Sequence, residues 1–273
     1  GFGRGSELPD ALKGTLTIDA DLLAEGRVGE LSLLTSGAAE VRSALRAQSG
    51  GKVDIGAQNI SVGADITAAG GAIRLAASNL SPLDTTSSNR VDVADGVTLS
   101  TAGTWVNRLP GSSASTQAPV LQGGSIDISA SSEIVSGSGV YTGEGSVHLG
   151  QGVRLDASGG AMVTEQGQLK SGAGGDITID ALKLQGLQNA SLSAYGLDEG
   201  GSLSVTTRNL TIGGPAPASP AAGDLHLAAD FLSQGGFASY DLRALENLEV
   251  ADNTTVRPLV AHRDLNADFR TQA

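Results

Sequence analysis

The sequence predicts an all-β chain, a parallel β-helix (solenoid) built from short coils, and three observations carry that expectation. A glycine-led phrase recurs along the chain, the apolar residues inside it alternate with polar ones, and the apolar mass is almost all Val, Ile, Leu and Ala, with only 3% aromatic residues. Branched aliphatics at period two, bounded by glycine, are the pattern of short strands joined by tight turns.

The phrase is a Gly, one variable residue and an apolar–x–apolar pair, followed about seven positions after the pair begins by another apolar residue. Gly51 leads to Val53 and Ile55, then Ile60 and Val62; Gly71 leads to Ile73 and Leu75, then Leu80. Gly124 leads to Ile126 and Ile128, then Ile134; Gly145 leads to Val147 and Leu149, then Val153 and Leu155. Gly175, Gly201 and Gly223 open further copies, and degenerate ones lie at Leu16/Ile18, Leu31/Leu33, Val91/Val93/Val97/Leu99 and Leu242/Leu248/Val250. Adjacent copies are separated by 20, 21, 22, 26 or 30 residues, apart from one long gap between Gly71 and Gly124. A constant phrase at variable spacing reads as fixed strands joined by loops of unequal length. The long gap holds one loop insertion, around residues 107–122 and rich in Ser, Pro and Ala.

Alternation decides which side chains face inward. In Lys52-Val53-Asp54-Ile55 and Asp176-Ile177-Thr178-Ile179-Asp180 the branched residues share one face and the polar ones the other. Two or three such strands, bent at Gly or Asn corners, close one coil, and a lone coil cannot bury its apolar face. At about 22 residues per coil the whole chain, residues 1–273, is expected to form a single repeat domain of roughly eleven or twelve coils. That is a rod on the order of 50–60 Å. Residues 39–48 fit helical spacing through Val41, Ala44, Leu45 and Gln48, but alternate equally well, and the surrounding repeats favour strand. Asn59, Asn79, Asn209 and Asn247 precede second apolar runs, where Asn serves as a corner residue or stacks its amide between coils.

The charge balance excludes some partners. A net charge of −12 opposes nucleic acid and anionic lipid, which need clustered Lys and Arg. No run of 18 apolar residues is present, so no transmembrane helix or membrane insertion is expected. With no cysteine, neither disulfides nor thiolate metal sites are expected. The opening Gly1-Phe2-Gly3-Arg4-Gly5 has no signal-peptide core, so the chain reads as an internal fragment of a larger secreted protein.

Catalytic constellations are thin. His148 and His226 sit between the two members of an apolar pair, which aims them outward as solvated residues, and His262 stands apart. Asp54, Asp127, Asp176 and Asp224 take the outward position of their strands, but on different coils that are mostly not neighbours. Gly172-Ala173-Gly174-Gly175-Asp176 does not meet the calcium-binding repeat, and no phosphate loop is present. No catalytic residue, metal site or cofactor is therefore expected. Asn-x-Ser/Thr sequons at Asn59, Asn79, Asn189, Asn209 and Asn253 mark glycosylation sites or simply the Ser/Thr-rich composition. In so aromatic-poor a chain, Trp105, Tyr141, Tyr195 and Tyr240 are the candidate carbohydrate contacts, because an exposed ring beside hydroxyls and carboxylates can stack on a sugar. The structural role, for Trp105 pinning the insertion to the coils, is the favoured reading of these rings, the tyrosines above all.

The phrases Val91-Asp92-Val93-Ala94-Asp95-Gly96-Val97-Thr98-Leu99, Val153-Arg154-Leu155-Asp156-Ala157-Ser158-Gly159-Gly160 and Gly174-Gly175-Asp176-Ile177-Thr178-Ile179 resemble repeats of filamentous-haemagglutinin-family exoproteins. Thr104-Trp105-Val106-Asn107 is similar to an element of large family members with exopolysaccharide-binding roles. The resemblance spans nearly the whole chain, but its motifs are repeat grammar and carry no chemistry. It implies a right-handed parallel β-helix, and secretion of the parent protein to the cell surface or extracellular matrix through a partner outer-membrane transporter. The implied role is adhesion or biofilm cohesion, with extracellular polysaccharide or a host or bacterial surface glycan as partner. A carbohydrate-active enzyme on the same scaffold and a ligand-free spacer are the competing expectations.

Overall fold

The computed structural model describes residues 28–78, 89–110, 118–130, 145–217, 221 and 223–259, and the backbone alone of the strands 133–136 and 139–142. Among them the chain is all-β, with helix limited to two single 3-10 turns, Leu187–Asn189 and Phe231–Ser233. Residues 39–48 hold the strands Ala38–Val41 and Leu45–Arg46.

Three parallel sheets, visited in rotation, organise the chain. The first contains Glu30–Leu34, Lys52–Ala57, Ala72–Ala77, Ser125–Ala130, Asp176–Ala181, Ser202–Ile212 and Ser239–Val250. The second contains Ala38–Val41, Asn59–Val62, Arg90–Val93, Ser146–Leu149 and Lys183–Gln185. The third contains Leu45–Arg46, Ile66–Thr67, Thr98–Ser100, Arg154–Asp156 and Ser191–Ser193. Five successive circuits each lay one strand on each sheet, in register with the strand of the circuit before. Val53 pairs with Ile73, Ile73 with Ile126, Ile126 with Ile177 and Ile177 with Leu203. On the second sheet the column runs Ile60, Val91, Val147, Leu184, and on the third Ile66, Leu99, Leu155, Leu192. These columns converge on one apolar core in which Ile55, Ile60, Ile66, Leu75, Leu99 and Ile128 are fully buried.

A glycine column sets the spacing of the circuits. A Cβ built on Gly71 falls 1.8 Å from the Gly51 carbonyl oxygen, one on Gly124 falls 2.0 Å from that of Gly71, one on Gly175 1.9 Å from that of Gly124, and one on Gly201 1.8 Å from that of Gly175. Hydrogen bonds follow the same line: the Lys52, Ala72, Ser125, Asp176 and Ser202 amides donate to the carbonyls of Gly29, Gly51, Gly71, Gly124 and Gly175 at 2.8–3.1 Å. At strand-to-strand spacing no side chain fits there.

Two expectations need correction. The glycine-led phrase does not count circuits: Gly145-x-Val147-x-Leu149 belongs to the second sheet of the circuit that Gly124 opens. Likewise Gly223-x-Leu225-x-Leu227 forms the strand Asp224–Leu227, which pairs with the second half of Ser202–Ile212. Among the described residues the first sheet has eight strands, which apart from Asp224–Leu227 define seven levels, fewer than the eleven or twelve expected of the whole chain, a stack of about 30 Å. The phrase repeats twice within one circuit because a first-sheet and a second-sheet strand have the same needs: one tight entry, then two inward side chains. Nor is the excursion around residues 107–122 the sole insertion. An antiparallel hairpin, Glu133–Ser136 with Gly139–Thr142, leaves between the first and second sheets, so Ile134 is not the second-sheet residue its spacing suggested. A further one, Ala161–Val163 with Leu169–Ser171, leaves after the third and adds to Trp105–Asn107 as a side sheet. Residues 111–117, Leu16, Ile18 and Leu80 lie outside the described residues.

Gly124→Ala is expected to cost about 2–4 kcal/mol, the range of changes that force a packed backbone apart. Gly96, at φ 72° with open space around its Cβ position, loses only the left-handed preference on substitution, about 1–2 kcal/mol. Urea unfolding of Gly124→Ala beside Gly96→Ala measures the difference.

Candidate functional site

The outer face of the first sheet gathers charge that the sequence alone kept apart. Outward positions stack in register as well, and one column reads Ser32, Asp54, Arg74, Asp127, Thr178. Asp54 sits between two cations, 2.8 Å from Lys52 Nζ and 3.2 Å from Arg74 Nη1, while Glu30 lies 3.9 Å from Lys52. Burial works against the Asp54 charge, but the hydrogen bonds and positive charges of Lys52 and Arg74 together hold its carboxyl below the ordinary value. Asp127 comes out the other way: burial pushes its carboxyl up, Arg74 pulls it part of the way back, and Asp54 adds to the rise. Asp176 stands one column over, in line with Ser125 and Ser202, and accepts a hydrogen bond from Ser202 Oγ. Asp224 is on another strand altogether, where it accepts from Asn209 Nδ2 at 2.9 Å. Among the described residues no group of three His, Asp or Glu side chains is placed to hold a metal ion.

The aromatic candidates separate. Trp105 opens the side-sheet strand Trp105–Asn107 and is 50% exposed, level with Ala161 and Ser171 and at the opposite end of this small sheet from the exposed Leu169. The insertion is held by its neighbour: Thr104 Oγ1 donates to the Val120 carbonyl at 3.1 Å and accepts from the Val120 amide at 3.0 Å. Tyr141 lies in the hairpin backbone, and its side chain falls outside the described residues. Tyr240 follows Leu203 in an inward column, meets Phe237 edge-to-face at 5.6 Å, and donates its hydroxyl to the Gln234 carbonyl at 2.9 Å. Burial, with Tyr195 nearby, raises its pKa above the ordinary phenol value. Tyr195, half-buried, lines a groove of about 420 Å³ between the third-sheet strand Ser191–Ser193 and the turn Phe231–Ser233.

The asparagines divide in a similar way. Asn209 Oδ1 accepts from the Asn247 side chain at 3.0 Å and its amide at 3.2 Å, so an amide-to-carboxylate chain links Asn247, Asn209 and Asp224 across three strands. Asn59 opens a second-sheet strand in line with Ala38 and Arg90. Asn79 lies outside the described residues, as does His262. Left-handed backbone is left to glycines and, among the described residues, to Asn253 at φ 59°. His148 is exposed beside the Asp92 position, whereas His226 is half-buried with Nε2 2.9 Å from the Gly213 carbonyl oxygen.

Sequence reasoning missed the groove. Its other aromatic rings, Phe231 and the buried Phe237, stand roughly 40 residues from Tyr195, and its polar rim of Gln188, Ser191, Asp230 and Gln234 is drawn from both stretches of the chain. One signal was present: two of the chain's four Phe, Phe231 and Phe237, fall within seven residues of each other.

Asp54→Asn is expected to lower stability at neutral pH by about 1 kcal/mol, the upper end for a partly exposed ion pair. A folded pKa below the ordinary 3.8 means this stability is present above that pH and is lost as pH falls through the folded value. The gap from wild type in urea unfolding therefore closes in strong acid. Asp127→Asn reverses the sign: it is the more stable form at pH 7, and its advantage shrinks as acidification protonates Asp127 in the wild type.

The chain matches no family model, no curated protein and no solved structure.

Proposed function

We propose that this chain is a length of right-handed parallel β-helix from a secreted bacterial surface protein of the filamentous-haemagglutinin type, serving as stalk and adhesive face. The observation that carries the reading is the rotation of strands through three parallel sheets, each circuit stacked in register on the last. Parallel strands joined by crossovers take the right-handed path in nearly all cases, and stacked circuits create an elongated outer surface of the kind repeat proteins use for binding. The repeat phrases and Thr104-Trp105-Val106-Asn107 support the family, and through it secretion, a transporter partner for the parent protein, and a polysaccharide or surface glycan as the bound partner. Adhesion is tested directly: the immobilised chain is expected to retain bacterial cells or matrix polysaccharide, and retention of neither makes it a spacer.

A second reading, a carbohydrate-active enzyme, is favoured by one observation, the Asp54–Arg74–Asp127 column with its raised and lowered carboxyls. New reducing or unsaturated ends released from polysaccharide, and lost in Asp127→Asn, would establish it over the adhesive one.

The stacked-circuit architecture has its own test. Residues 51–70 are one complete circuit, so their deletion sets Gly71 where Gly51 stood and Ile73 over Leu31. The shortened chain is expected to keep a β-type far-UV spectrum and a single cooperative melt. Deleting residues 51–60 removes half a circuit and is expected to abolish both.

A further inference from the structure

The third sheet changes its rule at one level. Ser191–Ser193 is its terminal strand, and the chain that next passes this side forms the turn Phe231–Ser233 where a strand would be expected. Ser191 donates its amide to Val153 and Ser193 accepts from Ala157, both at 2.8 Å, on the side of the preceding circuit. Alternate residues of a parallel strand face opposite neighbours, so Leu192 turns its peptide groups to the other side, into the groove it lines. The inward space is filled from the new turn by Leu232 and Phe237, both buried, which leaves Phe231 half-buried at the groove. Opposite it, Tyr195 is backed by Gly236: a Cβ there would lie 2.2 Å from the ring.

We propose that this groove, lined by Tyr195 and Phe231 and rimmed by Gln188, Ser191, Asp230 and Gln234, binds a neutral oligosaccharide. The inference rests on the adhesive reading above and assigns it a site and a ligand class. Its volume, about 420 Å³, falls within the small-ligand range of roughly 300–1,000 Å³. Half-buried aromatic rings offer electron-rich faces to the polarised C–H groups of a pyranose. The exposed amides of Gln188 and Gln234 both donate and accept, the Ser191 hydroxyl does the same, and the Asp230 carboxylate accepts. That mixture suits a partner made of hydroxyls. No Lys or Arg lines the groove, and the chain carries −12 overall, so a polyuronate or sulfated glycan meets repulsion with no compensating cation. A peptide strand is a poorer fit, since the open sheet edge is only the three residues Ser191–Ser193.

The test uses the full chain over immobilised gluco-, manno- and galacto-oligosaccharides of matrix type, neutral host-type glycans, and oligouronates of matched length. Neutral sugars are expected to be retained and oligouronates not, with the matrix and host arms telling which source the groove prefers. Tyr195→Ala is expected to weaken binding at least tenfold. So is Ser191→Trp, which fills the groove from an exposed position and leaves the melt unchanged; Trp105→Ala leaves binding intact. Preference for oligouronates, or neutral binding that survives both groove substitutions, overturns the proposal. A chain that retains cells or matrix but no oligosaccharide overturns the groove and leaves the adhesive reading standing, while a chain that retains none of them overturns both.

Discussion

The close approach of glycine to glycine at the entrance to the first sheet is the constraint on which the remaining structure depends. From Gly51 through Gly71, Gly124 and Gly175 to Gly201, each backbone lies so near the one before that a methyl group would overlap the carbonyl oxygen beneath it. Backbone in contact at every level means that each circuit enters the first sheet at the same place and in the same phase. Because side chains alternate with a period of two, a slip of one residue would turn every apolar side chain outward. The glycines exclude that slip at the corner, and the columns headed by Val53, Ile55 and Ala57 follow from it. The chain can then vary freely between corners. Between Lys52–Ala57 and Asn59–Val62 there is a single residue, yet between Ser125–Ala130 and Ser146–Leu149 a whole hairpin departs and returns without disturbing the register on either sheet.

In-register stacking brings a second problem, on the outside. Residues at equivalent positions are stacked at close to 5 Å, so a repeated acidic residue would face its own copy, and like charges directly opposite are destabilising. In an acidic chain the columns answer this by changing composition. Glu30 is followed by Lys52, and Asp54 by Arg74 and then Asp127. Asp176 is flanked by Ser125 and Ser202, the second of which donates a hydrogen bond to it. The raised carboxyl of Asp127 marks where this alternation is least complete: burial is offset by one cation shared with Asp54.

How much of this was legible in the sequence follows from the range of the forces involved. The first-sheet strands were plain, because Val53/Ile55 and Ile177/Ile179 announce an inward face through strictly local alternation. The leading glycines were visible as punctuation, although the reason for them, contact with a glycine some 20 to 50 residues away, is not local. The count of circuits was misread because the phrase at Gly145 satisfies the same local rule as the one at Gly124, and only pairing with Val91 and Val93 reveals which sheet it joins. Short third-sheet strands such as Ile66–Thr67 offer one inward residue each and leave hardly any period to detect. The Asp54–Arg74–Asp127 column was hidden for the same reason as the circuit count, since adjacency between levels depends on loop lengths. Of the aromatic candidates, Tyr195 lies in the groove and Tyr240 in an inward column, and local sequence could not separate them, because both stand beside small or acidic residues.

A stack that obeys its rule at every level presents a ridged, polar outer surface with nothing concave to hold a small ligand. Concavity requires a level to break the rule, and the third sheet does this above Ser191–Ser193, where its strands end while the first sheet goes on. There the turn Phe231–Ser233 takes the place of a strand, Leu232 and Phe237 fill the interior, and the first sheet continues from Ser202–Ile212 to Ser239–Val250 with one register shift, between Thr207 and Asn209. The local cost is modest, because the first sheet carries on and the interior stays packed. The result is a site whose aromatic rings are held from behind: Tyr195 by Gly236, and Phe237 by the edge of Tyr240, whose hydroxyl is tied to the Gln234 carbonyl. A rigid column can in this way acquire a recognition site without a separate domain, because the neighbouring circuits supply the preorganisation that a loop by itself lacks.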